Sequence, residues 1–263
     1  MDYGLEGRVA LVTGGSEGIG KATALALSAE GVRVAICARR PNVLDAAAEE
    51  IRTVSSGEIL AVPTDISKPE QITNLMQRVN EEWGGVDILV NNAGTSSAKA
   101  FENISDEDWM ADLDLKLFSW TRLIRAVLPH MKEQHWGRII NLTALAGKTP
   151  GANSAPSSVS RAAGISLTKS LSKQVAPDNI LVNTVLIGLI KAGQHETRFN
   201  SMVAQNPSLT LEEHYANMGA NVPLGRVGES AEAADLITFL ASERASFITG
   251  VAINMDGGAS PVV

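Results

Sequence analysis

The stretch VALVTGGSEGIGKATALAL, residues 9–27, runs from short branched apolar residues through a glycine-rich turn into a helical pattern of alanine and leucine. Gly14, Gly18 and Gly20 stand between the two halves. Glycines so placed permit a tight strand-to-helix turn. They also let backbone N–H groups approach a pyrophosphate at the positive end of the helix. Taken alone the pattern equally suits a purely structural turn, so the segments that follow must decide between the two.

Those segments repeat the alternation. Strand-like runs at 32–38, 58–65, 86–94, 137–144 and 179–188 are followed by helical patterns at 41–55, 67–83, 105–132 and 157–176, then by a polar helical stretch to about 220. A helix at 230–242 and a last strand, GVAINM, complete the order. Seven strands linked by crossover helices predict an α/β fold, a doubly wound seven-stranded parallel sheet covered on both faces. The third helix carries a start signal in TDISKPEQ, with Ser67 as N-cap, Pro69 in the first turn and Glu70 closing a capping box. No linker, repeat or low-complexity segment interrupts the pattern, so one domain over 1–263 is expected.

Composition narrows the function. The chain has 263 residues, 44% hydrophobic and 19% charged, which suits a large filled core and argues against disorder. A net charge of −7 without a dense Lys/Arg block argues against a nucleic-acid partner. No apolar run approaches the roughly 18 residues of a membrane span, and the N-terminus has no signal-like core; a cytoplasmic protein without a membrane partner is expected. The single cysteine, Cys37, lies in an apolar run and reads as a buried inert thiol. The four histidines have no metal-ligand spacing, and no metal site is expected.

The segments TGGSEGIG, TDI at 64–66, NNAG at 91–94, GRIIN at 137–141, ITG and MDGG together resemble the short-chain dehydrogenase/reductase family from about residue 6 to 259. The resemblance implies a Rossmann-type nucleotide-binding domain with a substrate lid around 190–222. It implies that Gly14, Ser16, Gly18 and Ile19 cradle the phosphates, that Asp65 and Ile66 bracket the adenine, and that Asn92, Ala93 and Gly94 line the adenosine ribose. Two of these have plainer readings: Asp65 as the cap of a turn, NNAG as the end of a strand. At the end of the second strand, Arg39 stands where a carboxylate would accept hydrogen bonds from a free ribose 2′-hydroxyl. A guanidinium there favours a 2′-phosphate, hence NADP(H), with NAD as the alternative.

The catalytic half departs from the family. There a tyrosine protonates the carbonyl oxygen, a lysine four residues on lowers its pKa and holds the ribose, a serine gives a second hydrogen bond and an asparagine anchors a water chain. In register, these positions are Ser157, Arg161, Ala144 and Lys116. Ile187 and Ala192 replace the usual proline and threonine near the nicotinamide. Serine is too weak an acid for tyrosine's part, and loss of general acid catalysis costs about 10² to 10⁴ in rate. The candidate catalytic residues are therefore Lys116, Ser157 and Arg161. Arginine is a poor proton donor near neutral pH; Lys116 is a possible one if burial and Arg161 depress its pKa, or it snorkels to the surface. Arg161 could take over the ribose contact. Tyr3 and Tyr215 are the chain's tyrosines, and Gln194, His195 and Arg198 fall in the lid region.

Three functions stay open at this stage: an NADP(H)-linked oxidoreductase on a small carbonyl or alcohol with a rebuilt or degenerate site, a non-redox lyase or hydrolase on a β-keto or acyl substrate, and a silent NADP(H)-binding protein. Apolar residues on more than one face of helices 105–132 and 157–176, with the family's habit of pairing them, imply a homodimer or homotetramer.

Overall fold

The computed structural model describes residues 2–55, 57–192, 199, 203 and 209–263. Its elements in order are β1 (Val9–Thr13), α1 (Gly18–Ala29), β2 (Arg33–Ala38), α2 (Pro41–Val54), β3 (Ile59–Pro63), α3 (Pro69–Trp83) and β4 (Ile88–Asn91). There follow α4 (Asp106–Leu113), a wide π turn (Asp114–Phe118), α5 (Ser119–Glu133), β5 (Gly137–Ala144), α6 (Ser157–Val175) and β6 (Ile180–Ile187). The chain ends with α7 (Leu211–Gly219), α8 (Ser230–Ala241) and β7 (Ala252–Met255).

The strands form one sheet in the order β3-β2-β1-β4-β5-β6-β7, and every pairing is parallel. Alternation along each strand feeds two cores. Ala10 and Val12 of β1 join Leu27 of α1, Leu44 of α2 and Ile237 of α8 on one face. Val9 and Leu11 join Leu75 of α3, Leu123 of α5 and Val175 of α6 on the other. Each such side chain contributes about 1.5–3 kcal/mol on leaving water. The expected doubly wound sheet is the fold observed.

The strand order reverses between β1 and β4, and the loops leaving their carboxyl ends diverge there to open a crevice. Asn92, just past β4, closes the floor: its carboxamide donates to Thr13 O at 2.8 Å and Gly14 O at 3.3 Å. Gly14 needs the left-handed backbone (φ +66). A polar chain fixes α6 over the sheet: Asn91 donates to Asn141 at 2.8 Å, Asn141 to Thr168 at 2.9 Å, and Thr184 reaches the same Thr168 hydroxyl at 2.6 Å.

Two boundaries differ from expectation. Ser67 does not cap α3: the N-cap is Lys68, without a side-chain bond. Pro69 is the first helical residue and holds residue 68 extended, which leaves Ser67 one position too early. Its N–H and hydroxyl instead donate to Asp65 Oδ1 at 3.0 and 2.8 Å. The single helix expected over 105–132 is interrupted by the π turn, where Ser119 N–H bonds back to Asp114 O. Of the lid expected around 190–222, residues 193–198, 200–202 and 204–208 lie outside the described residues, among them Gln194, His195 and Arg198.

A methyl group on Gly20 would sit 2.2 Å from Gly14 O and 2.5 Å from Asn92 Nδ2. Gly20→Ala is therefore expected to lower the unfolding free energy by about 1–3 kcal/mol. In contrast, Gly151→Ala, where a Cβ meets nothing within 4 Å, should stay within about 0.5 kcal/mol. Urea titration of both variants checks this.

Candidate active site

A cleft of about 700 Å³ runs along the carboxyl edge of the sheet at the strand-order reversal. Its first end is built from the glycine turn, with Gly14, Ser16, Gly18 and Ile19, and from Arg39 after β2. Asp65 and Ile66 after β3 and Asn92, Ala93 and Gly94 after β4 complete that end. The second end carries Lys116 from the π turn and Arg161 from α6, with Thr143, Ile187 and Ala192 in the wall. Residues far apart in sequence, singled out for binding, thus meet on one surface.

The first end suits an anion. Glu17 is the N-cap of α1 but makes no side-chain cap bond, because its carboxylate pairs with Arg40. The first-turn N–H groups of α1 are left without an intrahelical acceptor, at the positive end of the helix dipole. Arg40 is thereby committed, whereas Arg39 is exposed and makes no ion pair among the described residues. Partial burial pushes the Asp65 carboxyl up, but the Ser67 donors and the Arg39 and Lys68 charges hold it below the ordinary aspartate value. Asp65 and Asn92 therefore serve their own turns and also face the cleft. Cys37 is buried, and burial pushes its thiol up to about 12, so it is inert.

At the second end Lys116, Ser157 and Asp112 form a buried charge network. Lys116 is 4% exposed, so it does not snorkel. Its ammonium pairs with Asp112 and donates to Ser157 Oγ at 2.9 Å. Ser157 accepts a further bond from Ser97 N–H at 2.8 Å and donates to Asp112 at 3.4 Å. Ser160 donates to the other Asp112 oxygen at 2.6 Å. Burial pushes the Lys116 ammonium down, the Asp112 carboxylate pulls it up and Arg161 pushes it down again; the balance lies below the ordinary lysine value. Burial pushes Asp112 up, but the Lys116 and Ser160 donors hold it below 3.8, so it stays ionised.

Ser157 is 4% exposed and lies behind the cleft wall rather than on it. Its hydroxyl serves the Lys116 ammonium. Arg161 is on the cleft and makes no hydrogen bond or ion pair among the described residues. Ala144 ends β5 and brings no hydroxyl. Tyr215 is buried in α7, away from the cleft, with Lys191 Nζ 5.4 Å from its ring; Tyr3 packs against the core that α1 also fills.

Asp112 is the functional residue that sequence reading missed. Its signal was an acid four residues before Lys116 on one helix, a spacing usual for surface pairs. Asp114, nearer in sequence, goes to Arg122 at 2.8 Å instead.

The profile of the short chain dehydrogenase family matches residues 8–202. The chain is 35% identical over 258 residues to the 3-oxoacyl-(acyl-carrier-protein) reductase of Aquifex aeolicus (strain VF5), covering 98% of this chain and 99% of that one. The crystal structure of L-sorbose reductase from Gluconobacter frateurii, complexed with NADPH and L-sorbose, matches with a TM-score of 0.96 and 31% identity over all of both chains. The NADPH-bound short chain oxidoreductase from Pseudomonas aeruginosa PAO1, which contains an atypical catalytic center, matches with a TM-score of 0.90 and 35% identity, over 99% of this chain and 100% of that one.

Removing the Asp112 charge strands a buried ammonium. Asp112→Asn should cost about 3–5 kcal/mol, and Asp112→Asn with Lys116→Met, which removes both charges, should recover most of that loss. The folded pKa of Asp112 lies below its unfolded value, so its contribution is complete above pH 3.8 and is lost as pH falls through the folded value. The stability gap between wild type and Asp112→Asn should accordingly shrink in acid, as read by denaturant melts from pH 7 down to 3.

Proposed function

The chain belongs to the short-chain dehydrogenase/reductase family, and from that membership we propose that it reduces a small carbonyl compound with NADPH, using Lys116 as proton donor. The observation that carries the proposal is the joining, in one cleft, of a phosphate-ready helix end and a buried ammonium. When bound, the nicotinamide supplies the hydride. The α1 N–H groups and the turn of Gly14, Ser16, Gly18 and Ile19 hold the pyrophosphate, and Arg39 takes the 2′-phosphate. Asp65 and Ile66 flank the adenine; Asn92, Ala93 and Gly94 line its ribose, and Arg161 reaches the second ribose. The NADPH-bound Gluconobacter and Pseudomonas relatives support this choice of cofactor.

Lys116 meets the two requirements of the donor. Asp112 and Ser157 orient its ammonium, and its lowered pKa moves it toward the working pH, where a general acid is most effective. Its charge, with that of Arg161, stabilises the oxygen anion that hydride arrival creates. Ser157 acts through Lys116 and is a positioning residue. The lyase, hydrolase and silent-binder readings lose ground because the relatives are reductases.

The remaining features of the proposal are one nucleotide-binding domain over 1–263 with a lid around 190–222, a small-molecule substrate, a cytoplasmic location and a homodimer or homotetramer. Exposed Phe118 and Val159 on the α5 and α6 side are the apolar groups that pairing would cover. Among the described residues, no helix is long and apolar enough to cross a membrane.

Two measurements test the core of the proposal. NADPH should bind at least about tenfold more tightly than NADH, and Arg39→Asp should reverse that order, since a charge-assisted pair is worth about 1.5–3 kcal/mol. With a panel of small ketones, Asp112→Asn/Lys116→Met should bind NADPH like wild type yet lose about 10² to 10⁴ in kcat. Undiminished turnover by this double variant would remove Lys116 as donor.

A further inference from the structure

The second end of the cleft holds more positive charge than the described residues neutralise. Lys116 and Asp112 cancel as a buried pair. Arg161, on the next wall, lies close enough that its charge disfavours the Lys116 ammonium and Asp112 favours the guanidinium, yet it has no carboxylate of its own among the described residues. Arg161 is half-buried, and a partly desolvated cation without an ion-pair partner among the described residues is costly. Two more polar atoms of the same wall, Trp120 Nε1 and Thr143 Oγ1, are buried without a hydrogen-bond partner. The ribose contact proposed above does not settle the account, because ribose hydroxyls are neutral.

We infer that this wall is a carboxylate site, with Arg161 as its anchor, and that the substrate is a short oxo acid rather than a neutral ketone. The fork of guanidinium N–H groups fits a carboxylate in two parallel bonds. One anion brings the cluster of Lys116, Asp112 and Arg161 to neutrality. With Lys116 at the carbonyl oxygen and Arg161 on the same cleft, the carboxylate and the carbonyl belong to one short chain, as in a 2-oxo or 3-oxo acid. The identification of this anion as substrate rests on the reductase reading; the binding of a carboxylate at Arg161 does not.

The test is calorimetric titration of the nucleotide-free protein with malonamate, a carboxylate with a nearby carbonyl, and with malonamide, its neutral isostere. Malonamate should bind at least about tenfold more tightly, and more weakly as salt rises. Arg161→Gln should abolish that preference and melt no lower than wild type, since it removes a half-buried charge that has no ion pair among the described residues. Arg161→Lys, which keeps the charge without the fork, should fall between the two. Arg125→Gln, on the exposed outer side of α5, should change nothing. Equal binding of the two ligands, or malonamate binding that survives Arg161→Gln, overturns the inference. A separate NADPH titration and ketone panel keep the two readings distinct. If malonamate binds through Arg161 while NADPH does not bind, the carboxylate site stands and the reductase reading falls. If neutral ketones turn over while malonamate does not bind, the carboxylate site falls alone.

Discussion

A parallel sheet sends every strand's carboxyl end to one edge, and where the strand order reverses, the loops must part. That constraint places the cleft. Here the reversal lies between β1 and β4, and the bonds from Asn92 to Thr13 and Gly14 tie the two diverging loops to each other at the floor. The glycine turn can approach so closely because Gly14 adopts a left-handed backbone and Gly20 has no side chain to strike it. The α1 N-terminus is thereby aimed into the crevice, with Glu17 drawn aside by Arg40.

At the other end of the same cleft a different physical problem has been solved. The small Ser157 side chain leaves room for the Lys116 ammonium, which the π turn carries into the interior. A buried ammonium is tolerable only beside a counter-ion and enough acceptors. Asp112 supplies the charge, and Ser157 and Ser160 complete the hydrogen bonds. Ser157, Lys116 and the neighbouring Asp112 therefore form one coupled unit. Lys116 is held at the cleft wall by that unit, while Arg161 lines the same cleft without an ion pair among the described residues.

Much of this was legible in the chain. The alternation of short apolar strands with longer amphipathic helices determined the sheet, its parallel sense and its two covered faces, because hydrophobic period depends on local geometry alone. The residues of the nucleotide end were legible for a related reason: most sit just past the end of a strand, and Gly18 and Ile19 open the helix that follows β1. Ser67 was misread because Pro69, as the first helical residue, makes Lys68 the N-cap and leaves the Ser67 hydroxyl to donate to Asp65 instead.

The sequence determined which residues, Ser157 and Arg161, stand where the family resemblance leads one to expect a tyrosine and a lysine. Only the tertiary structure decided what the replacements do. That Lys116 turns inward, that Asp112 rather than Asp114 meets it, and that Ser157 lies behind the wall while Arg161 lies on it all depend on one wide turn in a helix and on its packing against α6. Spacing places residues on a helix face. Whether that face meets water or a buried carboxylate is set by elements distant in the chain, and with it the cost and the chemistry of each charge.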